Sequence, residues 1–282
     1  MKAKLFFLLL SLFVFSSPAF SQEATPAAET AQPPQQQQIS ADMAFAMIAG
    51  NAEKGNANAM LTLGAFYEQG IGAPRNFTKA MEWYKKAADA GLAEGHYNLG
   101  VCYEIGMGNS GDMKKAVEHF EKAAGLGLVQ AMQKLSTMCF TGNGVEQSEA
   151  GGLFWLTKAG DAGAGDANNT LGVIYLQGLL NQKKDEKKAF EHFKKAADAG
   201  NLESIKNLGV LYKDGLGVKQ DAGQALKWYL IAQKGGYQAG DMDVILTELK
   251  GKLKPAQIKN IEAEATKWIE DFQKKNQKPG GA

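Results

Sequence analysis

The sequence predicts an all-α protein, a right-handed α-solenoid of helix-turn-helix repeats, and three observations carry that expectation. A Leu-Gly pair recurs at Leu63-Gly64, Leu99-Gly100, Leu171-Gly172 and Leu208-Gly209, with Leu135-Ser136 in the same register; the glycine positions follow one another by 36, 36, 36 and 37 residues. Three residues beyond each stand Tyr67, Tyr103, Cys139, Tyr175 and Tyr212. Each period also splits into two helical patterns, each with its own stop and start signals. Self-similarity on this scale marks stacked units that touch only their neighbours, and whose working part is an extended surface rather than one pocket.

The first helix of each repeat is exemplified by Asn58 to Gly72, where Leu61, Leu63, Gly64 and Tyr67 fall near one face of a 3.6-residue helix and Gly70 with Gly72 ends it. The equivalent stops are Gly106 and Gly108, Gly142 and Gly144, Gly178 with Leu180, and Gly215 with Gly217. After each turn comes Asn76, Asp112, Ser148, Asp185 or Asp221, side chains that accept a hydrogen bond from the unpaired N–H groups of a helix start. The extra residue of the fourth repeat lies between Gly178 and Asp185, inside the loop, where insertion does least harm.

Counting from each cap, the fourth residue is Ala80, Ala116, Gly152, Ala189 or Ala225. The eighth is Tyr84, Phe120, Leu156, Phe193 or Tyr229, and the eleventh Ala87, Ala123, Ala159, Ala196 or Ala232. That spacing defines one helical face, with small residues that let helices approach and large ones that fill the space left. The same register places a lone second helix at the start, opened by Ser40 and carrying Ala44, Met47 and Ile48. At the far end Gly240 to Gly251 reads as a degenerate first helix, and Pro255 opens a longer one with Ile258, Ile261, Ala265, Trp268, Ile269 and Phe272 on one stripe. That is the cap a solenoid end needs.

Residues 1–21 read as a cleavable signal peptide: Lys2 and Lys4, an apolar core from Leu5 to Phe15, and small residues before Gln22. The apolar run covers about a dozen residues where a membrane span needs ~20. The expected location is periplasmic or secreted, with no transmembrane span after signal removal. Loss of Lys2 and Lys4 leaves 29 basic against 30 acidic residues, a balance that offers no electrostatic trap for nucleic acid. Residues 22–39, rich in Ala, Pro and Gln, are expected to form a disordered linker, 40–273 the solenoid and 274–282 a flexible tail.

The stretch Tyr97-Asn98-Leu99-Gly100-Val101-Cys102-Tyr103, followed by Gly106, Asp112, Lys115-Ala116 and Lys122-Ala123-Ala124, resembles the Sel-1-like repeat family, relatives of the tetratricopeptide repeats. Asn207-Leu208-Gly209 through Tyr229 resembles it still more closely, and the likeness runs from about Ser40 to Phe272. It implies an adaptor scaffold that holds a protein or peptide partner. It also implies an alternative, a β-lactamase-like envelope protein, since some cysteine-rich relatives are described as penicillin-binding or β-lactamase-like; a peptidoglycan-binding envelope protein is a further alternative. The third repeat departs most from the pattern, with Ser136, Cys139 and Gly152, and reads either as a looser joint or as the place where a partner sits.

Catalytic machinery is not legible. Ser-x-x-Lys, Ser-Asp-Asn, Lys-Thr-Gly, Gly-x-Ser-x-Gly and His-Glu-x-x-His are all missing from the chain, so no enzyme and no cofactor is expected. Gly106 to Gly111 matches a dinucleotide fingerprint in letters, but it follows a helix where that motif must follow a strand. His96, His119 and His192 read as packing or surface residues, too scattered for a metal site. Cys102 and Cys139 are expected to be separately packed thiols rather than a bridge, and the sequons at Asn76 and Asn168 are set aside.

In right-handed arrays of helical hairpins the first helices line the concave face. Two residues before each glycine position the chain shows Thr62, Asn98, Lys134, Thr170 and Asn207, a polar row that could hold the backbone of an extended peptide, or could be ordinary solvated helix surface. Four residues after the glycine position come Glu68, Glu104, Phe140, Leu176 and Lys213, with Phe140 and Leu176 expected as an exposed apolar patch. The candidate partner-binding set is therefore Asn98, Lys134, Thr170, Asn207, Glu104, Phe140, Leu176 and Lys213, on a chain expected to be a monomer.

Overall fold

The computed structural model describes residues 40–108, 111–238 and 240–276, so the expected signal peptide, the linker and the last residues of the tail lie outside the described residues. Among the described residues there are thirteen helices and no strand. A lone helix α1 (Ala41–Glu53) precedes five helical pairs: α2 (Ala57–Gln69) with α3 (Phe77–Asp89), α4 (Ala93–Ile105) with α5 (Met113–Gly125), α6 (Val129–Thr141) with α7 (Glu149–Asp161), α8 (Gly165–Gln177) with α9 (Glu186–Asp198), and α10 (Leu202–Asp214) with α11 (Ala222–Lys234). A short α12 (Met242–Gly251) and a long α13 (Pro255–Asn276) close the chain; α13 thus runs a few residues into the expected tail. The architecture is the all-α solenoid of helix-hairpin repeats that the spacing predicts. The chain forms two compact units, one holding α1 to α5 and the start of α6, the other the rest of α6 and α7 to α13.

The expected caps are all made. Asn76, Asp112, Ser148, Asp185 and Asp221 accept from backbone N–H groups of Lys79, Lys115, Gly151, Lys188 and Gln224 at 2.9–3.1 Å, and Ser40 does the same for Met43 at 3.2 Å. Asn56 and Asn201 cap first helices in the same way at 2.9 and 2.8 Å, which the sequence pattern had not singled out. Gly70, Gly106, Gly178 and Gly215 end their helices in the left-handed conformation, φ 68–77°. Where the fourth repeat carries its extra residue, Leu180 and Asn181 take φ 52° and 57° without glycine's freedom, and Asn181 Nδ2 donates to Glu149 at 2.7 Å.

In the first unit a ring from the second helix lies on the bare backbone of the first. A Cβ built on Gly64 would stand 2.6 Å from Tyr84, and one on Gly100 2.7 Å from Phe120. The second unit repeats this at Gly172 with Phe193 (2.7 Å) and Gly209 with Tyr229 (2.8 Å). All four rings are buried, as are the alanines at the fourth and eleventh positions. Each buried aromatic contributes about 1.5–3 kcal/mol of transfer free energy, which repeats once per hairpin.

The third repeat, expected to be a looser joint or the place where a partner sits, is packed with the roles of its two helices exchanged. Ser136 replaces glycine, is fully buried, and donates its hydroxyl to the Gly152 carbonyl at 2.8 Å. Leu156 stands where the other repeats have a ring. The ring now comes from the first helix: a Cβ on Gly152 would lie 2.4 Å from Phe140. Phe140 therefore fills the hairpin and is half-buried, which corrects the expectation of an exposed patch there.

At the end of the second unit α13 packs back on α11, with Ala265 fully buried and Trp268 meeting Trp228 edge-to-face at 5.8 Å. Its charged side pairs outward, Glu264 with Lys227 at 3.0 Å and Glu262 with Lys250 at 2.9 Å.

Two substitutions test this packing. Gly100→Leu drives a side chain into Phe120 and should cost about 1–3 kcal/mol in a urea or thermal melt. Gly152→Ala installs the residue found at the four equivalent positions, yet should lower stability by about 1 kcal/mol, because overlap with Phe140 outweighs the helix propensity gained; an increase would contradict the exchanged packing.

Candidate functional site

The first helices carry the side chains that the sequence marks as candidates. In the second unit α8 and α10 are tied directly, one repeat apart: Asn201 Nδ2 donates to Asp166 at 2.8 Å, and the Ser204 hydroxyl donates to Asn169 Oδ1 at 2.8 Å. Both Asn169 and Ser204 are buried, so part of the polarity of these helices serves inter-repeat hydrogen bonding rather than recognition.

The eight candidates divide. In the first unit Asn98 and Glu104 on α4 are half-buried. In the second unit Lys134, Asn207 and Lys213 are half-buried as well; Asn207 accepts from Lys206 at 2.9 Å, and Lys213 lies 3.8 Å from Asp214. Thr170 is 5% exposed and its hydroxyl donates to the Asp166 carbonyl at 2.9 Å, so it belongs to the interior of α8. Leu176 packs against the buried core of the second unit, and Phe140 covers Gly152. Neither forms the exposed apolar patch expected of it. At the matching position of the first repeat, Glu68 accepts a hydrogen bond from the Tyr84 hydroxyl, and burial with that carboxylate alongside holds the phenol well above its ordinary range.

The exposed aromatic is elsewhere. Phe154 on α7 is 53% exposed, beside a groove of about 300 Å³ that Lys158, Asp161, Tyr175 and Gln182 also line. The sequence did carry a signal for it: the equivalent positions hold Glu82, Glu118, Glu191 and Lys227, so an aromatic there breaks a row of charges.

Two of the histidines read as scattered are in contact. His96 Nδ1 and His119 Nδ1 are 3.1 Å apart, and the His119 ring stacks on Tyr103 at 5.5 Å and 14°. In the second unit His192 repeats the arrangement, stacked on Tyr175 at 5.5 Å and 8°, with its Nδ1 3.0 Å from Asn168 Oδ1. Asn168 is 2% exposed and its amide nitrogen donates to the Gly160 and Ala164 carbonyls, which leaves its oxygen to accept; His192 is therefore the donor through Nδ1–H. Burial lowers the titration of all three imidazoles, most strongly for His119, pushed down to about 4 with His96 as the next cause. Cys102 and Cys139 are thiols, as expected. Burial, then the Glu68 carboxylate, pushes Cys102 up to about 12, which makes it unreactive. Among the described residues no three His, Cys, Asp or Glu side chains gather in a metal-binding group, and no helix is long and apolar enough to cross a membrane.

The Sel1 repeat model matches residues 57–92, 93–128, 129–163, 165–201 and 202–237, five consecutive repeats that coincide with the helical pairs. The chain belongs to the Sel1 repeat family. Among solved structures it is similar to a Sel1 repeat protein from Oxalobacter formigenes, with 28% identity and a TM-score of 0.59 over 80% of this chain and 94% of that one. It is also similar to a protective antigen of uropathogenic Escherichia coli strains displaying an SLR fold, with 23% identity and a TM-score of 0.46 over 86% of this chain and 60% of that one. Among curated proteins, 51 residues are 47% identical to the ERAD-associated E3 ubiquitin-protein ligase component HRD3A of Arabidopsis thaliana; the match spans 18% of this chain and 8% of that protein. Sel1 repeat proteins generally act as scaffolds for protein–protein interaction and are typically non-catalytic.

The half-buried donor at His192 has a pH consequence. Desolvation is the main cause of its lowered titration, with Lys195 and Lys188 adding to it and Asp161 and Glu191 opposing. Because the folded state binds its proton less readily than the unfolded chain, stability is complete above the unfolded value of ~6.5 and falls as pH drops through the interval below it. The imidazole should titrate below 6.5 by NMR, and His192→Gln should flatten the acid side of the stability profile.

Proposed function

We propose that this chain is an exported, non-enzymatic scaffold that binds a protein or peptide through the exposed edges of its first helices. Family membership supports the scaffold reading, and the half-exposed polar side chains support the surface: Asn98 and Glu104 in the first unit, Lys134, Asn207 and Lys213 in the second. The observation that carries it is the direct bonding of α8 to α10. It sets consecutive first helices side by side and leaves Asn207 and Lys213 at a half-open edge with donors and acceptors for a peptide backbone. The leader-like residues 1–21 support a periplasmic or secreted location.

A second reading has its own observation. Phe154 in its groove on α7 has the form of an aromatic anchor with charged neighbours in Lys158 and Asp161, a common plan for an interface centre. A photo-crosslinking residue at Asn207, at Phe154 or at the exposed control Glu191 separates the two. Discrete protein adducts from Asn207 alone support the first-helix surface, adducts from Phe154 alone move the site to α7, and equal yields from all three contradict both. Export is checked by intact mass of the protein from the envelope or medium, expected to begin at Gln22. Turnover of nitrocefin by the purified protein would overturn the non-enzymatic reading.

A further inference from the structure

We propose that Asn143 is a site of spontaneous covalent modification, converting to a mixture of aspartate and isoaspartate through a cyclic imide closed by the backbone nitrogen of Gly144. In the turn between the two helices of each repeat, the residue after the first glycine is Ile71, Met107, Leu179 or Leu216, and in the third repeat it is Asn143. The four apolar side chains are half-buried, and Met107 and Leu216 pack against the cores beside them, whereas Asn143 is exposed. Gly142 and Gly144 on either side of it take φ 74° and 75°. The feet of this loop are held, Gly142 N–H by the Met138 carbonyl and Ser148 N–H by the Cys139 carbonyl, both at 2.8 Å. Its tip is not: among the described residues Gly144 N–H donates no hydrogen bond, and the Asn143 side chain makes none.

The conversion needs no reagent but water. A base from solvent takes the proton of Gly144 N–H, the nitrogen attacks Cγ of Asn143, and the side-chain amide nitrogen takes a proton from solvent and leaves as ammonia when the five-membered imide closes. Water then opens the ring at either carbonyl, giving aspartate on the original chain or isoaspartate on a backbone lengthened by one methylene. The net change is one water consumed and one ammonia released, with a carboxylate in place of the amide and nothing oxidised or reduced. Glycine has no Cβ to crowd the attacking nitrogen, and exposed loop-tip backbone is free to rotate into the attack geometry. Two other pairs lack one or both of these conditions. Asp214-Gly215, the one Asp-Gly pair of the sequence, ends α10 with its Gly215 N–H donated to the Leu211 carbonyl. Asn181 is exposed in the loop of the fourth repeat, but Gln182 follows it and donates its N–H to the Leu179 carbonyl at 3.0 Å. In both the nitrogen that would attack is already engaged, whereas that of Gly144 is not.

The test incubates the purified protein in mildly alkaline and in mildly acidic buffer, with and without guanidinium chloride, and reads tryptic digests by mass spectrometry over time. The tryptic peptide of residues 135–158 holds Asn143 as its one asparagine. In the folded protein it is expected to gain the mass of an amide-to-acid conversion, faster in the alkaline buffer, and to become a substrate for labelling by protein isoaspartyl methyltransferase. Asn143→Gln, whose longer side chain disfavours the ring closure, should lose both signals and keep the parent melting temperature. Asn181 and Asp214 should stay unchanged in the folded protein, and Asp214 should begin to form isoaspartate in guanidinium chloride, where the Gly215 N–H is released. Asn143 remaining an amide in the folded protein while the unfolded chain converts, isoaspartate arising at Asp214 or Asn181 as fast as at Asn143 in the folded protein, or full labelling of Asn143→Gln would overturn the proposal.

Discussion

Each hairpin depends on a ring packed against helix backbone where no side chain intervenes. Glycine at the centre of a helix costs about 0.5–1 kcal/mol relative to alanine, and the chain accepts that cost at Gly64, Gly100, Gly172 and Gly209 because the vacated volume admits Tyr84, Phe120, Phe193 and Tyr229. The buried aromatic returns more than the glycine costs. It also couples the two helices, since in each hairpin the ring stands where a Cβ on the opposing glycine would have to go. The alanines one turn either side of the ring then close against the partner helix, and the caps hold the register at which ring and glycine meet.

The third repeat shows which part of this arrangement is essential. What recurs is one ring on one bare backbone, not the helix that supplies it. With Ser136 where glycine should be, a ring from α7 would collide, and α7 offers Leu156 instead. Gly152 opens the backbone of α7, and Phe140 enters from the other side. The buried hydroxyl of Ser136 is satisfied by the carbonyl beside that glycine, so the exchange leaves no polar group stranded. Two departures from the repeat pattern, read singly, suggest looseness; read as a pair across the hairpin they compensate.

The histidines follow the same logic at higher polarity. A stacked tyrosine and a facing acceptor hold the imidazole at α9, and Asn168 can play that part because its amide nitrogen is already engaged with Gly160 and Ala164. At α5 the facing group is a second imidazole. Substitution within a repeat position thus changes the hydrogen-bond partner of an imidazole while its stacking on tyrosine persists.

Period, caps, helix stops and the buried face were all legible in the residues, because they rest on local rules: hydrogen bonding at helix ends, left-handed glycines and a 3.6-residue stripe. Ser40 opening a lone helix and Pro255 opening the closing one followed from the same register. What the sequence could not determine was which polar or aromatic side chain faces a neighbour and which faces water. Thr170 turned inward to its own helix, Leu176 joined the core, and Phe140 crossed its hairpin. His96 and His119, 23 residues apart, met only when α4 and α5 closed. Helical periodicity assigns a face to each residue but not the partner that face will meet, and pairing across helices is decided by volumes that exist only once the hairpins have packed.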